Sequence, residues 1–343
     1  MSRGLGDVYK RQLQYILKDK LIVYAILIFV VAVLVQAVYW LYCRFQFAEC
    51  KNYSFSWSSK TGKELLTYSG WNVVGSLAII SRQQGLNVLL NLFFGTILNA
   101  AHSIAQQIYG VLMQFVNNLY MATRPQITKF YAVGDTVEMW NLVFRSAKLA
   151  FYLLMLISIP LIIEMNTILM LWLGDAPQYT VEISILMIIS MLIETQVNQI
   201  IAAFQAANKI KRYQLYSSTI LLCNIPITYW LLRILGDVPL VPYFVSILLS
   251  VLYAGSILWQ AKVEIQLELN KYIKQVIIKL CLVFGVAFLC IYSISTLMSP
   301  SLYRVLCTCL LSIFLIPFIV WLIGLDNIEK SFCIRLLRDK LHL

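Results

Sequence analysis

The chain has 343 residues, 60% of them hydrophobic and only 13% charged, with a mean hydropathy of +0.78. A soluble domain is about 45–50% apolar and about 25% charged, so both departures point to lipid as the solvent of the helix exteriors and leave no room for a large soluble domain. The net charge of +11 fits basic loops on one side of a membrane rather than nucleic acid, because no basic run alternates with aromatics in a polar setting.

The opening "MSRGLGDVYKRQ" runs directly into apolar sequence. It has no small-residue cleavage site and leads into a full span, so it is not a signal peptide. "DVYKRQ" is the translation of the end of a widely used transposon-based sequencing adaptor. Residues 1–12 are therefore read as translated adaptor, and the chain is expected to be the C-terminal part of something longer.

A helix crossing about 30 Å of hydrocarbon needs about 20 residues. Nine segments qualify, at approximately 20–42, 71–94, 99–122, 147–165, 180–204, 215–233, 241–259, 275–297 and 302–324. Pro226 and Pro317 fall inside their segments and predict kinks. The connections alternate in charge. Those holding Arg44 to Lys63, Arg124 to Lys148, Lys209 to Arg212 and Lys262 to Lys279 are basic, as is the tail with Lys330, Arg335, Arg338 and Lys340. Those between them, such as "GTILNAAHS" and "LWLGDAPQYTVEIS", are not. This pattern predicts nine crossings with the basic loops and the C-terminus in the cytoplasm. The first helix then enters from outside near Lys18 and Lys20, so an odd number of helices is expected ahead of residue 13. Trp40, Trp71, Trp140, Trp172, Trp230, Trp259 and Trp321 lie near segment ends, as interfacial anchors do.

Polar residues inside the spans carry the functional signal. In the second segment, Asn72, Ser76, Gln83, Asn87 and Asn91 share one helical face. Arg82, at the border of that stripe, lies about 17 Å along the helix from Trp71, near the midplane. A charge there costs at least about 2.5–3.5 kcal/mol, so it needs a compensating partner. The third segment carries a second stripe of His102, Gln106, Gly110, Gln114 and Asn117. Two neighbouring polar stripes suggest a water-filled cavity, or interhelical hydrogen bonds alone. His102, near the outer end, suits a structural or interfacial role. Glu194, in the fifth segment, sits at a depth similar to Arg82, with Asn198 and Gln205 continuing its face. The two form a structural ion pair, or act as a substrate-binding cation and a coupling carboxylate.

No phosphate loop, HExxH or nucleophile elbow is present, so no enzyme is expected. The eight cysteines have no zinc-type spacing, and neither metal nor cofactor is expected.

The stretch "SGWNVVGSLAIISRQQGLNVLLNLFFGTILNAAHSIAQQI" resembles the bacterial oligosaccharide flippases of the multidrug/oligosaccharidyl-lipid/polysaccharide exporter superfamily. Further matching stretches are "RPQITKFYAVGD", "LWLGDAPQYT", "AANKIKRYQ" and "NIPITYWLL". The resemblance implies an all-α polytopic bundle of the bacterial inner membrane. Residues 13–68 would be the last helix of a first lobe and a cytoplasmic linker. Residues 69–265 would be a complete six-helix second lobe, and 266–343 two additional helices and a cytoplasmic tail. Five helices of the N-terminal lobe would be missing, an odd number as the charge pattern requires. The implied activity is flipping of undecaprenyl-pyrophosphate-linked oligosaccharide by alternating access. Arg82 would meet the anionic head, since Arg recognises phosphate bidentately. Gln83, Asn87, Asn91, Gln106 and Gln114 would serve the sugar hydroxyls. Glu194 would couple to a proton or sodium ion or pair with Arg82. The implied partners are the lipid-linked oligosaccharide, membrane lipids and the missing lobe, with this fragment inactive alone. An ion-coupled multidrug exporter of the same superfamily is the first alternative, and a membrane-embedded glycan polymerase or ligase the second.

Overall fold

The computed structural model describes residues 20–47, 58–236, 238–327, 329–331 and 334. The readings made on residues 1–12, Lys18, Lys51, Arg335, Arg338 and Lys340 lie outside them. Every regular element among the described residues is helical. The chain divides into two units, Met1–Lys63 and Glu64–Leu343. The first unit contains α1 (Lys20–Gln46), an apolar helix with Arg44 in its last turn.

The helix α2 (Ser59–Val133) carries the second and third expected spans in one 75-residue run. A straight helix of that length would extend about 110 Å. Instead the chain reverses at Gly95, whose φ of 69° and ψ of −154° lie outside helical space and in a region that essentially only glycine tolerates. Leu86 and Leu90 before the turn pack in one buried cluster with Leu98, Ala101 and Ala105 after it. Among the described residues, eight helical spans are long and apolar enough to cross a membrane. With α2 folded into two arms at Gly95, they supply the nine expected segments.

The remaining helices are α3 (Thr136–Leu173), α4 (Thr180–Thr195), α5 (Asn198–Ala206), α6 (Ile210–Leu222), α7 (Asn224–Leu235), α8 (Val241–Glu264), α9 (Leu269–Tyr272), α10 (Ile278–Thr296) and α11 (Leu302–Ile319). Asp135 caps α3 by accepting from the Glu138 N–H at 3.0 Å, and Gly174 ends it with a φ of 74°. Pro226 lacks the N–H that would continue the preceding turn, and the helix is interrupted at Cys223. Pro317 is followed by a π-helical turn, Val320–Gly324. Both irregularities lie within three residues of the prolines at which kinks were predicted. A second π-helical turn, Ile273–Ile277, joins α9 to α10 with no proline to announce it.

The core lies between α3, α4, α5, α8, α10 and the second arm of α2. Ala147, Ala150 and Leu154 of α3 and Val276, Val283 and Ala287 from the α10 region are completely buried within it. Small residues here let helices approach closely, as in membrane bundles. Outward-facing Leu77, Leu92, Trp230, Leu289 and Phe314 are exposed. So much apolar surface would aggregate in water and is ordinary against lipid. The fold is a multi-pass, all-helical membrane bundle.

Two ion-pair sites pin α3 to the terminal helices. At one end Arg304 donates from Nε (3.1 Å) and Nη2 (2.8 Å) to Glu164 Oε2. The Glu164 side chain is fully buried, and its Oε1 has no partner. At the other end the buried Lys148 ammonium lies 3.1 Å from Asp326 and 2.6 Å from Glu329. Lys279 of α10 also bonds Asp326. Burial alone would raise the Asp326 carboxyl, but hydrogen bonds from Lys279 and Lys148 outweigh it and hold the group below its ordinary 3.8.

Two outcomes follow from these pairs. Arg304→Met strands a buried carboxylate and should lower stability by about 3–5 kcal/mol, whereas Glu164→Gln with Arg304→Met should lose far less; detergent unfolding curves measure both. Because its folded pKa is depressed, the stability contributed by Asp326 is present above the ordinary value and fades as pH falls below 3.8. Asp326→Asn should flatten that acid limb in a pH series of unfolding midpoints, and parallel curves would contradict the linkage.

Candidate functional site

The first arm of α2 lies against α7 because Gly85 leaves room for Ile225, whose Cδ1 sits 2.3 Å from where a Cβ would be. This approach sets Arg82, which is partly buried, and Gln83, which stays exposed, at one wall of the site. The second arm returns from Gly95 with His102, Gln106 and Tyr109 opposite them. Residues Ser190 and Glu194 of α4 and Tyr243, Ser246 and Ser250 of α8 complete the lining of a cavity of about 60 Å³. That volume holds a few waters. A straight α2 would keep Arg82 and Tyr109 about 40 Å apart, so the site exists because of the reversal at Gly95.

Its centre is an ion pair. Arg82 Nη1 lies 3.0 Å from Glu194 Oε1, with the two side chains 18% and 15% exposed. Ser250 Oγ donates to the same oxygen at 2.7 Å. Tyr109 and Tyr253 stand within electrostatic reach of both charges. The pair gives the guanidinium expected within the span a carboxylate partner from another helix. The formal charges of the pair cancel, and Glu194 occupies the Nη1 side of the guanidinium.

Beside the pair, His102 is buried and bonded through both ring nitrogens. Its Nδ1 is 3.0 Å from Tyr243 Oη, and Gln106 Nε2 is 3.4 Å from its Nε2. With Gln106 donating, Nδ1 carries the hydrogen and donates to Tyr243. This fixes the second arm of α2 to α8, the structural role expected of a histidine near a helix end. Ser246 bridges to Asn224 of α7 at 3.0 Å.

The structure thus brings together Arg82, Gln83, Gln106 and Glu194 from the residues singled out in the sequence. Three others lie elsewhere. Asn87 turns along its own helix to Gln84 at 3.5 Å, and Asn91 and Gln114 are exposed outside the cavity lining. Between Glu194 and Asn198 the regular helix lapses at Gln196 and Val197. The sequence reading missed Ser250, Ser190, Tyr109 and Tyr243. Ser246 and Ser250 left a signal, two hydroxyls at i, i+4 in an apolar run, which place both on one face of α8. Glu164, an isolated acid in "LISIPLIIEMNTILM", was also passed over. Among the described residues no cluster of three metal-ligating side chains occurs.

Fold and site define a polytopic helical membrane protein with an ion-paired, water-sized polar cavity. No known family, curated protein or solved structure matches the chain.

Removing the Ser250 hydroxyl leaves Glu194 Oε1 to Arg82 alone. Ser250→Ala should lower stability by about 1.5–3 kcal/mol, the range for hydrogen bonds to charged groups. Thermal unfolding in detergent tests this, and an unchanged midpoint would deny Ser250 a share in holding the pair.

Proposed function

We propose that this chain forms part of a flippase for lipid-linked oligosaccharides in the bacterial cytoplasmic membrane, with its basic loops and C-terminus in the cytoplasm. The observation that carries the reading is the Arg82–Glu194 pair, which lies at the edge of a polar stripe that the chain leaves uncovered. Ser76, Gln83, Asn91, Gln114 and Asn117 are exposed on the two arms of α2, yet polar groups within spans do not face lipid. In this reading the stripe faces an aqueous path shared with an N-terminal lobe. The 60 Å³ beside Arg82 is too small for a sugar, since ligand pockets run to about 300–1,000 Å³. Only the diphosphate enters there, and the glycan runs along the stripe past Gln83, Asn87, Asn91, Gln106 and Gln114. Glu194 competes with the anion for Arg82, and a proton or sodium ion taken up as the pair opens provides coupling.

The test is binding of a water-soluble isoprenyl diphosphate to the chain in nanodiscs. Arg82→Gln should weaken it by more than about tenfold, the loss expected for a charge-assisted bond. The exchange Arg82→Glu with Glu194→Arg should restore thermal stability lost in each single reversal without restoring binding. Recovery of diphosphate binding by the exchange, or preferential binding of a cationic dye in place of the diphosphate, would sink the reading and favour the multidrug exporter.

A further inference from the structure

The span that carries Glu194 is not one helix. It runs from Thr180 to Ala206, and α4 ends at Thr195 while α5 begins at Asn198. Sharp breaks in helices come from proline, glycine, π-bulges, or a side chain inserted into the hydrogen-bond ladder. The stretch "LMIISMLIETQVNQIIAAFQA" contains neither proline nor glycine, so the local sequence does not require the break. Inserted side chains hold it. Tyr120 Oη donates to the Thr195 carbonyl at 3.1 Å, and Tyr272 Oη donates to the Gln196 carbonyl. Both tyrosines are buried, Tyr272 completely. In a continuous helix these two carbonyls would accept from the N–H groups of Gln199 and Ile200. Here the Ile200 N–H bonds the Val197 carbonyl instead, at 3.0 Å. The Gln199 side chain donates to Thr123 at 2.8 Å, and its buried Oε1 has no partner beside the break.

We infer that the Gln196–Val197 break is a two-state element, and that Tyr120 and Tyr272 are positioning residues that hold it open and so aim Glu194 at Arg82. The balance of backbone bonds allows both states, while the closed state leaves the two tyrosine hydroxyls to find other acceptors. When the hydroxyls withdraw, the Thr195 and Gln196 carbonyls take the N–H groups of Gln199 and Ile200, and no backbone acceptor is stranded in the membrane. Gln196 (φ −63°, ψ −30°) and Val197 (φ −105°, ψ −9°) already lie in the right-handed helical region, so closing the gap is a small adjustment, and it shifts the Glu194 carboxylate relative to the guanidinium. Tyr120 belongs to the second arm of α2, and Tyr272 ends α9, which leads into the terminal helices. The element is therefore controlled from both sides of the bundle. The switch stands on the hydrogen bonds alone; only its consequence for anion binding rests on the flippase reading.

The test uses Tyr120→Phe and Tyr272→Phe, singly and together, which remove hydroxyls and keep the rings. Hydrogen–deuterium exchange is read on the full chain in nanodiscs. The double variant should slow exchange of the 198–200 amides by about tenfold as the helix closes. A brace of merely structural value would speed exchange on removal, so faster or unchanged exchange overturns the inference. Pyrophosphate titration is the second readout. With Glu194 withdrawn, affinity should rise about threefold or more, in the direction of Glu194→Gln and without adding to it. Slower exchange with no pyrophosphate binding by any variant or the parent would uphold the switch and sink the flippase reading. A fall in affinity beside slower exchange would show that closure does not free Arg82 and would overturn the positioning role.

Discussion

A charge in the middle of a hydrocarbon layer has to be neutralised where it stands, and the structure around Arg82 follows from that demand. By its place along the helix, the guanidinium is expected near the middle of the span. Its partner must come from another helix at the same depth, which fixes α4 against the first arm of α2. The carboxylate then brings its own requirement, a donor for the same oxygen, and Ser250 supplies it from α8. Three helices are thus located by one ion pair. Glu164 and Arg304 repeat the pattern between α3 and α11, where the pair is more deeply buried and its second carboxylate oxygen is left unpaired. The two pairs differ in surroundings. Glu164 and Arg304 join packed helices, whereas Arg82 and Glu194 line an open volume that water can enter. Solvent access lowers the barrier to exchanging one partner for another charge, and this gives the Arg82 site a chemistry that the buried pair lacks.

The second constraint is that backbone carbonyls within the bilayer need donors. Where proline removes one, the sequence itself locates the disturbance, as at Cys223 ahead of Pro226 and at Val320–Gly324 after Pro317. At Thr195 and Gln196 the donors are tyrosine hydroxyls from other elements. The first kind of break is fixed by covalent structure. The second persists only while the tyrosines stay in place. Discontinuous membrane helices with their ends near the midplane are where transporters place ions and substrates, and Glu194 stands one residue before this one.

This difference also accounts for what could be read from the sequence. The spans were legible because each apolar run reaches bilayer length, and the reversal at Gly95 fell between two of them. The partnership of Arg82 and Glu194 was legible from depth alone, since residues per turn convert directly to ångströms. The break after Glu194 was not legible. "ETQVNQ" has no helix breaker, and the donors that hold it lie 75 and 76 residues away in sequence. Continuing the face of Glu194 to Asn198 assumed an unbroken helix for that reason. The polar stripe of α2 was legible as a stripe, but periodicity could not say which members would turn inward. Asn87 and Gln106 both bond neighbours on their own arm, Gln84 and His102, yet only Gln106 lines the cavity. Side-chain choice among neighbours of similar polarity is a tertiary decision.

The exposure of the stripe bears on how the chain is used. Ser76, Gln83, Asn91, Gln114 and Asn117 stand on a surface whose other sides are leucine, valine and phenylalanine. Lipid would leave their amides and hydroxyls without partners, at a penalty that accumulates with each residue. A cover of apolar helix would do the same. The surface is satisfied by water, by a polar face of another helical unit, or by a hydroxyl-rich ligand. An assembly that satisfies it by turns, with water before the ligand arrives and sugar afterwards, needs no change in these side chains. In the proposed reading the movement falls instead to the helix that carries Glu194, with Arg82 paired in one arrangement and available to a phosphate in the other.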